Sequence, residues 1–210
     1  MSAIAGWVDF ERDLTPEAPT VRAMTAALAH RGPDGFGEWI EGHAALAHRR
    51  LALLDPEHAD QPALVESESG SPVAVLTLDG SITNHVELRR ELAAKGHRFT
   101  SGGDAEVALH AYLEWGAAFP ERLEGLFALA VWDVRRQELL LVRDRLGVKP
   151  LCYFLTPPGW SSAPSPRRCW RIRRYGRWST PTDCGSCSHT AASRAPGCSG
   201  APARCCPATR

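Results

Sequence analysis

Hydrophobic and polar residues follow two different periods along residues 1–155, and the two periods alternate. Short apolar runs of strand length occur at Ile4–Val8, Ala44–His48, Arg50–Leu54, Val73–Leu78, Phe127–Trp132 and Leu139–Val142. The i, i+3, i+4 spacing of an amphipathic helix occurs at Val21–Ala29, His85–Lys95 and from Ala105 to Leu113. Adjacent strand pairs with helices between them predict an α+β sandwich and argue against a doubly wound parallel sheet.

Local signals predict where several of these elements begin and end. Asp79-Gly80 predicts a turn after the preceding strand. Asn84 and Asp104 are suitable N-caps for the two helices that follow, and Gly96 is expected to end the first of them. The second half of this region is therefore expected to contain two capped helices joined by short loops.

Both periods disappear after about residue 156. Residues 160–210 hold nine Arg, no Lys and a single acid, Asp183, whereas residues 1–159 hold 15 basic and 23 acidic residues. All seven Cys lie at or after Cys152. A segment of this composition without a core pattern is expected to be disordered, so we expect one domain over residues 2–155 and a separate tail over residues 156–210.

The sequence also bears on the compartment and on metal or nucleic-acid partners. No apolar run has the length of a membrane span, and the N-terminus lacks the basic leader of a signal peptide. The prediction is a cytoplasmic protein without a membrane partner. Cys184-Gly185-Ser186-Cys187 has zinc-knuckle spacing but no second spaced pair, so no metal site is predicted. The Arg-rich tail is interpreted as a product of composition, not as a nucleic-acid site.

A series of short motifs runs in order along residues 4–151. They are Ile4-Ala5-Gly6-Trp7, His30-Arg31-Gly32-Pro33-Asp34, His48-Arg49-Arg50-Leu51, Gln61-Pro62, Asp79-Gly80-Ser81-Ile82-Thr83-Asn84, Gly103-Asp104-Ala105-Glu106-Val107, Phe127 to Asp133, and Arg143 to Leu151. Together they resemble the class II (N-terminal nucleophile) glutamine amidotransferases, closest to the asparagine synthetase branch. The resemblance implies a four-layer αββα sandwich of the N-terminal nucleophile hydrolase type.

The resemblance also implies a glutamine site. Hydrolysis of glutamine needs a nucleophile, a base and donors for the tetrahedral oxyanion. In the resembled family the nucleophile is residue 2, freed by removal of Met1, and its own α-amine is the base. The matched positions are Ser2 for the nucleophile, Asp79 and Gly80 for the oxyanion hole, and Arg50, Ser81 and Asp104 for substrate binding.

Several of these positions depart from the family pattern. Ser2 replaces the family Cys, and a hydroxyl is a poorer nucleophile than a thiol. Asp79 replaces an Asn donor, and an ionised carboxylate only accepts hydrogen bonds, so it repels the oxyanion. Ala3 stands for a Gly, Ser81 for a Glu and Thr83 for a Tyr. We therefore expect the glutaminase activity to be impaired.

The same residues have structural interpretations. Taken alone, Arg50 is typical of a surface or ion-paired arginine, and Asp104 is typical of a helix N-cap. The loop Arg31-Gly32-Pro33-Asp34 is expected to be structural. Arg143-Asp144-Arg145 is expected to form structural ion pairs at the end of a strand.

The tail is interpreted as the product of a displaced reading frame. Residues from Pro164 to Cys187 were reverse-translated mostly with codons ending in G or C, and the last base of each codon was read with the first two of the next. The result is the Glu-Pro-Lys-Ala continuation expected of the resembled family. This interpretation explains the excess of Arg, Pro and Cys, the split in charge and the loss of both periods together.

Three functions remain open at this stage. The first is the glutaminase-type domain of an asparagine synthetase-like enzyme, with L-glutamine as a weak or lost ligand and a homodimer as an option; ATP and Mg²⁺ would belong to a synthetase domain absent from this chain. The second is a relative of the β-lactam synthetases or lasso-peptide cyclases, which form intramolecular amides; Ser2, Asp79 and Ser81 favour it, whereas Arg50 and Asp104 favour the first. The third is a non-catalytic binding module.

Overall fold

The computed structural model of the chain describes residues 2–51, 60–155 and 176–179. Its strands are β1 (Ala3–Val8), β2 (Gly35–Glu41), β3 (Ala44–Arg50), β4 (Ala63–Glu66), β5 (Pro72–Ile82), β6 (Gly125–Asp133), β7 (Glu138–Arg143), β8 (Cys152–Leu155) and β9 (Gly176–Ser179). Its α-helices are α1 (Ala18–Ala26), α2 (His85–Ala94) and α3 (Asp104–Trp115), and 3₁₀ turns span Thr15–Glu17 and Gly116–Arg122.

The strands form two antiparallel sheets. The first has the order β2-β3-β1-β9-β8, and the second has the order β4-β5-β6-β7. In the first sheet, Ala3 of β1 lies opposite Arg49 of β3. In the second, the long strand β5 pairs with β6 as far as Ile82 opposite Gly125. The first register brings the beginning of β1 beside the end of β3, and candidate site residues lie at both places.

The two sheets pack face to face, and each carries helices on its outer side. The layer between the sheets contains Ile4 and Leu46 from the first sheet and Trp132 from the second. Val21 of α1 packs beside Trp7 on the outer face of the first sheet. Helices α2 and α3 share a core cluster with the outer face of the second sheet. This is the expected four-layer αββα arrangement, so the predicted α+β sandwich is confirmed.

Strand alternation explains how β5 serves two cores at once. Successive side chains of a strand point to opposite faces, so Leu76 and Leu78 pack with the helices while Val75 lies between the sheets. Across the sheet, the hydroxyl of Tyr112 on α3 donates to Asp133 Oδ2 at 2.9 Å. Burial, reinforced by the Asp133 carboxylate, raises the pKa of Tyr112 to about 12. These contacts fix α3 against the sheet whose central strand carries Asp79.

The predicted turn at Asp79-Gly80 is wrong, because β5 continues through both residues to Ile82. Gly80 serves a close backbone approach instead of a turn. Its φ is +126°, and a Cβ atom at this position would collide with the carbonyl oxygen of Leu126 in β6. The Asp-Gly pair therefore marks an irregular point inside a strand, which the local sequence does not distinguish from a hairpin.

The predicted N-caps also differ from the structure. Asp104 is the first residue of α3 and Gly103 is the N-cap, because the Asp104 carboxylate is turned towards the N–H of Ile82. Asn84 does occupy the N-cap position of α2, but its side chain makes no cap hydrogen bond. Its amide bridges to the segment before β6, donating to Arg122 O and accepting from the N–H of Glu124.

Four strands were not predicted, and one prediction is only partly covered. The sequence pattern misses β2, β4 and β8. Strand β9 lies in the tail, where no regular structure was expected; it satisfies backbone groups of β1 and β8 by pairing between them. Arg50, the first residue of the predicted strand Arg50–Leu54, ends β3, and Leu51 lies outside any strand. Residues 52–54, and the tail apart from β9, fall outside the described residues.

Membrane-spanning helices and metal clusters were sought in the same residues. No helix in the described part of the chain is both long and apolar enough to cross a bilayer. Within residues 2–51, 60–155 and 176–179, no His, Cys, Asp and Glu side chains form a group of three or more able to hold a metal. The Cys184 to Cys187 spacing lies outside these ranges, so the prediction for it stays a prediction.

Candidate functional site

Ser2 and Arg50 lie at the same edge of the first sheet. Ser2 directly precedes β1 and Arg50 ends β3, and the pairing of Ala3 with Arg49 makes these two chain ends neighbours. The N–H of Leu51 donates to the Ser2 hydroxyl oxygen at 3.2 Å. The residue at the nucleophile position is therefore held directly against the segment that carries Arg50.

Asp79 lies in β5 of the second sheet, across from Ser2, and it is fully buried. Its Oδ2 is 3.4 Å from Arg31 Nη2, and its Oδ1 is 3.3 Å from Lys149 Nζ. Arg31 Nε also donates to the carbonyl oxygen of Ser2, at 3.4 Å. We call Arg31, Asp79 and Lys149 the Asp79 cluster. It joins the start of β1, the loop after α1, β5 and the loop after β7 at one point.

Burial and pairing act in opposite directions on the Asp79 carboxylate. Burial raises the pKa of Asp79, while the Lys149 ammonium and the Arg31 guanidinium act to lower it. Burial is the larger influence, so the pKa lies above its usual value. With two cations within 3.4 Å, the carboxylate is still the form present at neutral pH. The position that would donate to an oxyanion carries a negative charge.

Arg50 presents hydrogen-bond donors that the described residues leave unused. Its Nε and Nη1 are buried and have no hydrogen-bond partner among those residues. Nη1 lies 3.5 Å from Asp60 Oδ1, but this contact is long, and the Asp60 side chain is fully exposed. Because these donors have no hydrogen-bond partner among the described residues, the guanidinium is suited to bind a carboxylate ligand.

Asp104, Gly80 and Ser81 complete the predicted set. Asp104 Oδ2 accepts the N–H of Ile82 at 2.8 Å, which ties the first turn of α3 to the end of β5. Gly80 and Ser81 occupy the β5 residues between Asp79 and this tie, with Gly80 opposite Phe127 and Ser81 opposite Leu126. The structure thus brings Ser2 and Asp79 together through Arg31, and places Arg50 and Asp104 at the edges of the same region.

The sequence interpretation missed the role of Arg31 and Lys149. Both were part of the quoted motifs, but Arg31 was assigned to a structural loop and Lys149 was given no place in the site. The local sequence carries no signal for these roles, which become visible only in the structure: the side chains of Arg31 and Lys149 are 11% and 14% exposed, and buried cations need partners. The acid that pairs with them is Asp79, the residue at the position that the sequence motifs predict for the oxyanion hole.

The sequence of the chain matches a known protein family over most of its length. Residues 1–163 match the sequence profile of the family described as "Glutamine amidotransferase domain". The chain therefore belongs to the glutamine amidotransferase domain family, whose class of fold and motif the structure also displays.

Within this family, similar proteins are asparagine synthetases. The chain is 43% identical over 161 residues to asparagine synthetase (glutamine-hydrolyzing) 3 of Bacillus subtilis, covering 77% of this chain and 26% of that protein. It is 40% identical over 131 residues to asparagine synthetase (glutamine-hydrolyzing) 1 of Arabidopsis thaliana, covering 62% and 21%. The chain thus spans about a quarter of the length of the curated relatives it matches.

A solved structure has the same fold at low sequence identity. The glutamine phosphoribosylpyrophosphate amidotransferase from B. subtilis superposes with a TM-score of 0.61 at 19% identity, covering 85% of this chain and 41% of that one. At this identity the likeness concerns the fold alone. It supports the sandwich assignment independently of the motifs.

Proposed function

We propose that this chain is the glutaminase-type domain of an asparagine synthetase-like amidotransferase, with its hydrolysis of glutamine impaired. The observation that carries the proposal is the Asp79 cluster. A fully buried carboxylate, paired with Arg31 and Lys149, occupies the oxyanion position next to Ser2. Removing one oxyanion donor costs roughly 3–4 kcal/mol in the transition state, and a carboxylate there adds repulsion.

In this proposal the binding of the amino acid survives the loss of chemistry. Arg50 would hold the α-carboxylate of glutamine through the donors that have no partner in the described residues. Asp104 would face the α-ammonium while its Oδ2 keeps the bond to Ile82. Ser81 would line the same region. L-Glutamine is therefore the expected ligand, bound but hydrolysed slowly.

The function of the whole protein is part of the same proposal. Relatives named asparagine synthetase (glutamine-hydrolyzing) are about four times as long as the matched region. By analogy with their names, the parent protein would transfer nitrogen from glutamine or ammonia to aspartate, in the cytoplasm. ATP and Mg²⁺ would activate the aspartate carboxylate in a synthetase domain outside this chain.

The test restores the two altered groups separately and together. Release of glutamate from glutamine is measured for the unmodified chain, S2C, D79N and the double variant S2C/D79N, after confirming removal of Met1 by mass spectrometry. We expect both single variants to stay near the background of the unmodified chain. The double variant should exceed either by about a hundredfold, since one oxyanion donor is worth that factor.

The outcomes separate the explanations. If S2C alone reaches the rate of the double variant, Asp79 does not impair the site and the proposal is wrong on its central point. If S2C/D79N binds glutamine but releases no glutamate, the proposed glutaminase ancestry of the site is wrong. D34N, a substitution in the loop of Arg31 that leaves residue 79 intact, serves as the matched control with no gain expected.

A second candidate rests on the same two substitutions. The pair Ser2 and Asp79 removes nucleophile and oxyanion donor at once, as expected of a relative that no longer uses glutamine, such as the β-lactam synthetases or lasso-peptide cyclases. This candidate predicts that the unmodified chain does not bind glutamine. A calorimetric titration with glutamine therefore distinguishes it from the first proposal.

A further inference from the structure

The backbone of Leu78, directly before Asp79, faces a gap in the second sheet. Strand β4 pairs with β5 only as far as Ala63 opposite Leu76. Beyond that pair, no strand in the described residues continues β4 alongside β5. Leu78 is 1% exposed, so its N–H and C=O need partners inside the protein.

Two side chains face these groups. Gln61 Oε1 accepts the N–H of Leu78 at 2.6 Å. The His48 ring lies near the Leu78 backbone, and this interaction acts to raise the pKa of His48. Its Nε2 is buried and has no hydrogen-bond partner among the described residues. The Gln61 side chain therefore satisfies the N–H of Leu78 where the neighbouring strand has ended, with His48 beside it.

Both side chains are themselves held firmly. His48 belongs to β3 of the opposite sheet and is 2% exposed. Burial, with a contribution from the Arg50 charge, lowers the pKa of His48 to about 4, so the ring is neutral at physiological pH and keeps one N–H to donate. The carbonyl of Gln61 packs so closely on Gly37 of β2 that a Cβ atom there would collide with it. The contacts to Leu78 thus connect β5 to β2 and β3.

We propose that His48 and Gln61 are positioning residues for the oxyanion corner of the site. Together they form what we call the Leu78 clamp, which holds the backbone at Leu78 so that residues 79 and 80 stay aligned with Ser2. The inference rests on the proposed function, because the segment it positions is the oxyanion hole of that function. Neither side chain is required to touch the substrate.

Thr77 provides a matched control for this inference. It is fully buried next to Leu78 in β5, and its hydroxyl has no hydrogen-bond partner in the part of the chain that the structure describes. Replacing Thr77 by Val keeps the shape of the side chain and removes no hydrogen bond. T77V therefore replaces a hydroxyl group by a methyl group beside the clamp and leaves the contacts of His48 and Gln61 to Leu78 intact.

The first measurement is hydrogen exchange of the Leu78 amide in the ¹⁵N-labelled full chain, by NMR. We expect exchange to be about tenfold faster in H48L and in Q61M, since a lost buried hydrogen bond shifts local opening by that factor. H48N keeps a side-chain N–H donor at this position, so it should stay within about threefold of the unmodified chain. T77V should change the rate less than about twofold.

The second measurement asks whether the clamp acts on the site. In the S2C/D79N background, H48L and Q61M should lower kcat for glutamine about tenfold while KM changes less than about twofold, because donor alignment and not substrate affinity is lost. H48N should recover most of kcat. A merely structural role would lower the melting temperature without this division between kcat and KM.

The outcomes of the two measurements are separable. If S2C/D79N hydrolyses no glutamine, the proposed function fails, and amide exchange still decides the clamp. If the Leu78 amide exchanges at the same rate in H48L and Q61M as in the unmodified chain, the clamp is overturned whatever the activity. Should H48L not fold, Q61M at the exposed side of the clamp and H48N carry the same comparison.

Discussion

The two ends of the candidate site use charge in opposite ways. At the amino-acid end, formed by Arg50 and Asp104, the guanidinium keeps buried donors without partners in the described residues. At the nucleophile end, formed by Ser2, Asp79 and Gly80, the charge of Asp79 is fully buried and bonded to two cations of the protein itself. At one end, donors lack partners among the described residues, whereas at the other end the charge is paired inside the protein.

On the proposed function, this difference in charge pairing separates the binding of the amino acid from the hydrolysis of its amide. A charge that pairs with the protein contributes to the fold, so its removal should be felt in stability. A charge that binds a ligand and has no partner in the protein contributes little to stability. Its removal should therefore lower the affinity for the ligand. Substitutions at Asp79 should therefore change mainly the stability, whereas substitutions at Arg50 and Asp104 should change mainly the affinity for glutamine.

The largest expected effect is on stability, from D79A. Removing the carboxylate leaves Arg31 and Lys149 buried without their acid, which should lower the free energy of unfolding by about 3–5 kcal/mol. Urea unfolding followed by circular dichroism measures it. R50A is the control and should change stability by less than about 1 kcal/mol, because its described partner Asp60 is fully exposed. Equal losses of stability in D79A and R50A would contradict the expectation that only the Asp79 charge stabilises the fold.

Acid should act on the nucleophile end through His48. The folded-state pKa of His48 is about 4, below an unfolded value near about 6.5. Between these values the unfolded chain binds a proton that the folded chain does not, so stability falls as pH drops. From pH 7 to pH 4.5 the unmodified chain should lose about 2.4 kcal/mol more than H48N, which has no titrating ring. Parallel pH profiles for the two proteins would contradict this.

The amino-acid end should respond in affinity. R50A should weaken glutamine binding by about 10- to 100-fold, since a hydrogen bond to a charged group is worth about 1.5–3 kcal/mol. Isothermal titration calorimetry on the full chain measures the dissociation constant. R90A, an exposed arginine on α2, is the matched charge control and should leave it unchanged. A loss of affinity shared by both variants would point to net charge and not to a specific holder.

The smallest effect is expected at Asp104. D104N keeps an acceptor for the N–H of Ile82 but removes the negative charge, so the melting temperature should barely move while glutamine affinity falls about three- to tenfold. D104A removes the acceptor as well and should lower stability by about 1 kcal/mol. A titration and a thermal melt of both variants distinguish the tie to Ile82 from the contact with a ligand.

Much of the fold followed from the sequence because the apolar runs of β1, β5, β6 and β7 are nearly uninterrupted. Strand β2 did not, since Glu38 and the flanking glycines break the pattern of Phe36 and Trp39. Strand β4 is four residues long, too short for a period to be recognised. Short and polar edge strands depend on their neighbours for stability, and the local sequence does not carry that information.

Motif order assigned the candidate residues to one site, but the contacts between their side chains could not be predicted from the sequence. Motif order alone identified Ser2, Arg50, Asp79 and Asp104. Nothing local indicates that Lys149 pairs with Asp79, because the two residues are 70 positions apart and meet only when the loop after β7 folds back. Similarly, Asp104 lies at a position typical of an N-cap, yet its carboxylate accepts the N–H of Ile82, the last residue of β5, 22 residues earlier in the chain.

The close packing of Gly80 against Leu126 bears on how active and inactive glutaminase domains are distinguished from their sequences. A side chain at position 80 is forbidden by the architecture, whatever happens to the chemistry beside it. A lineage that gives up hydrolysis has no freedom to change this residue without disturbing the two central strands. A glycine at position 80 therefore reports the close packing of β5 against β6, and its presence alone does not indicate glutaminase activity.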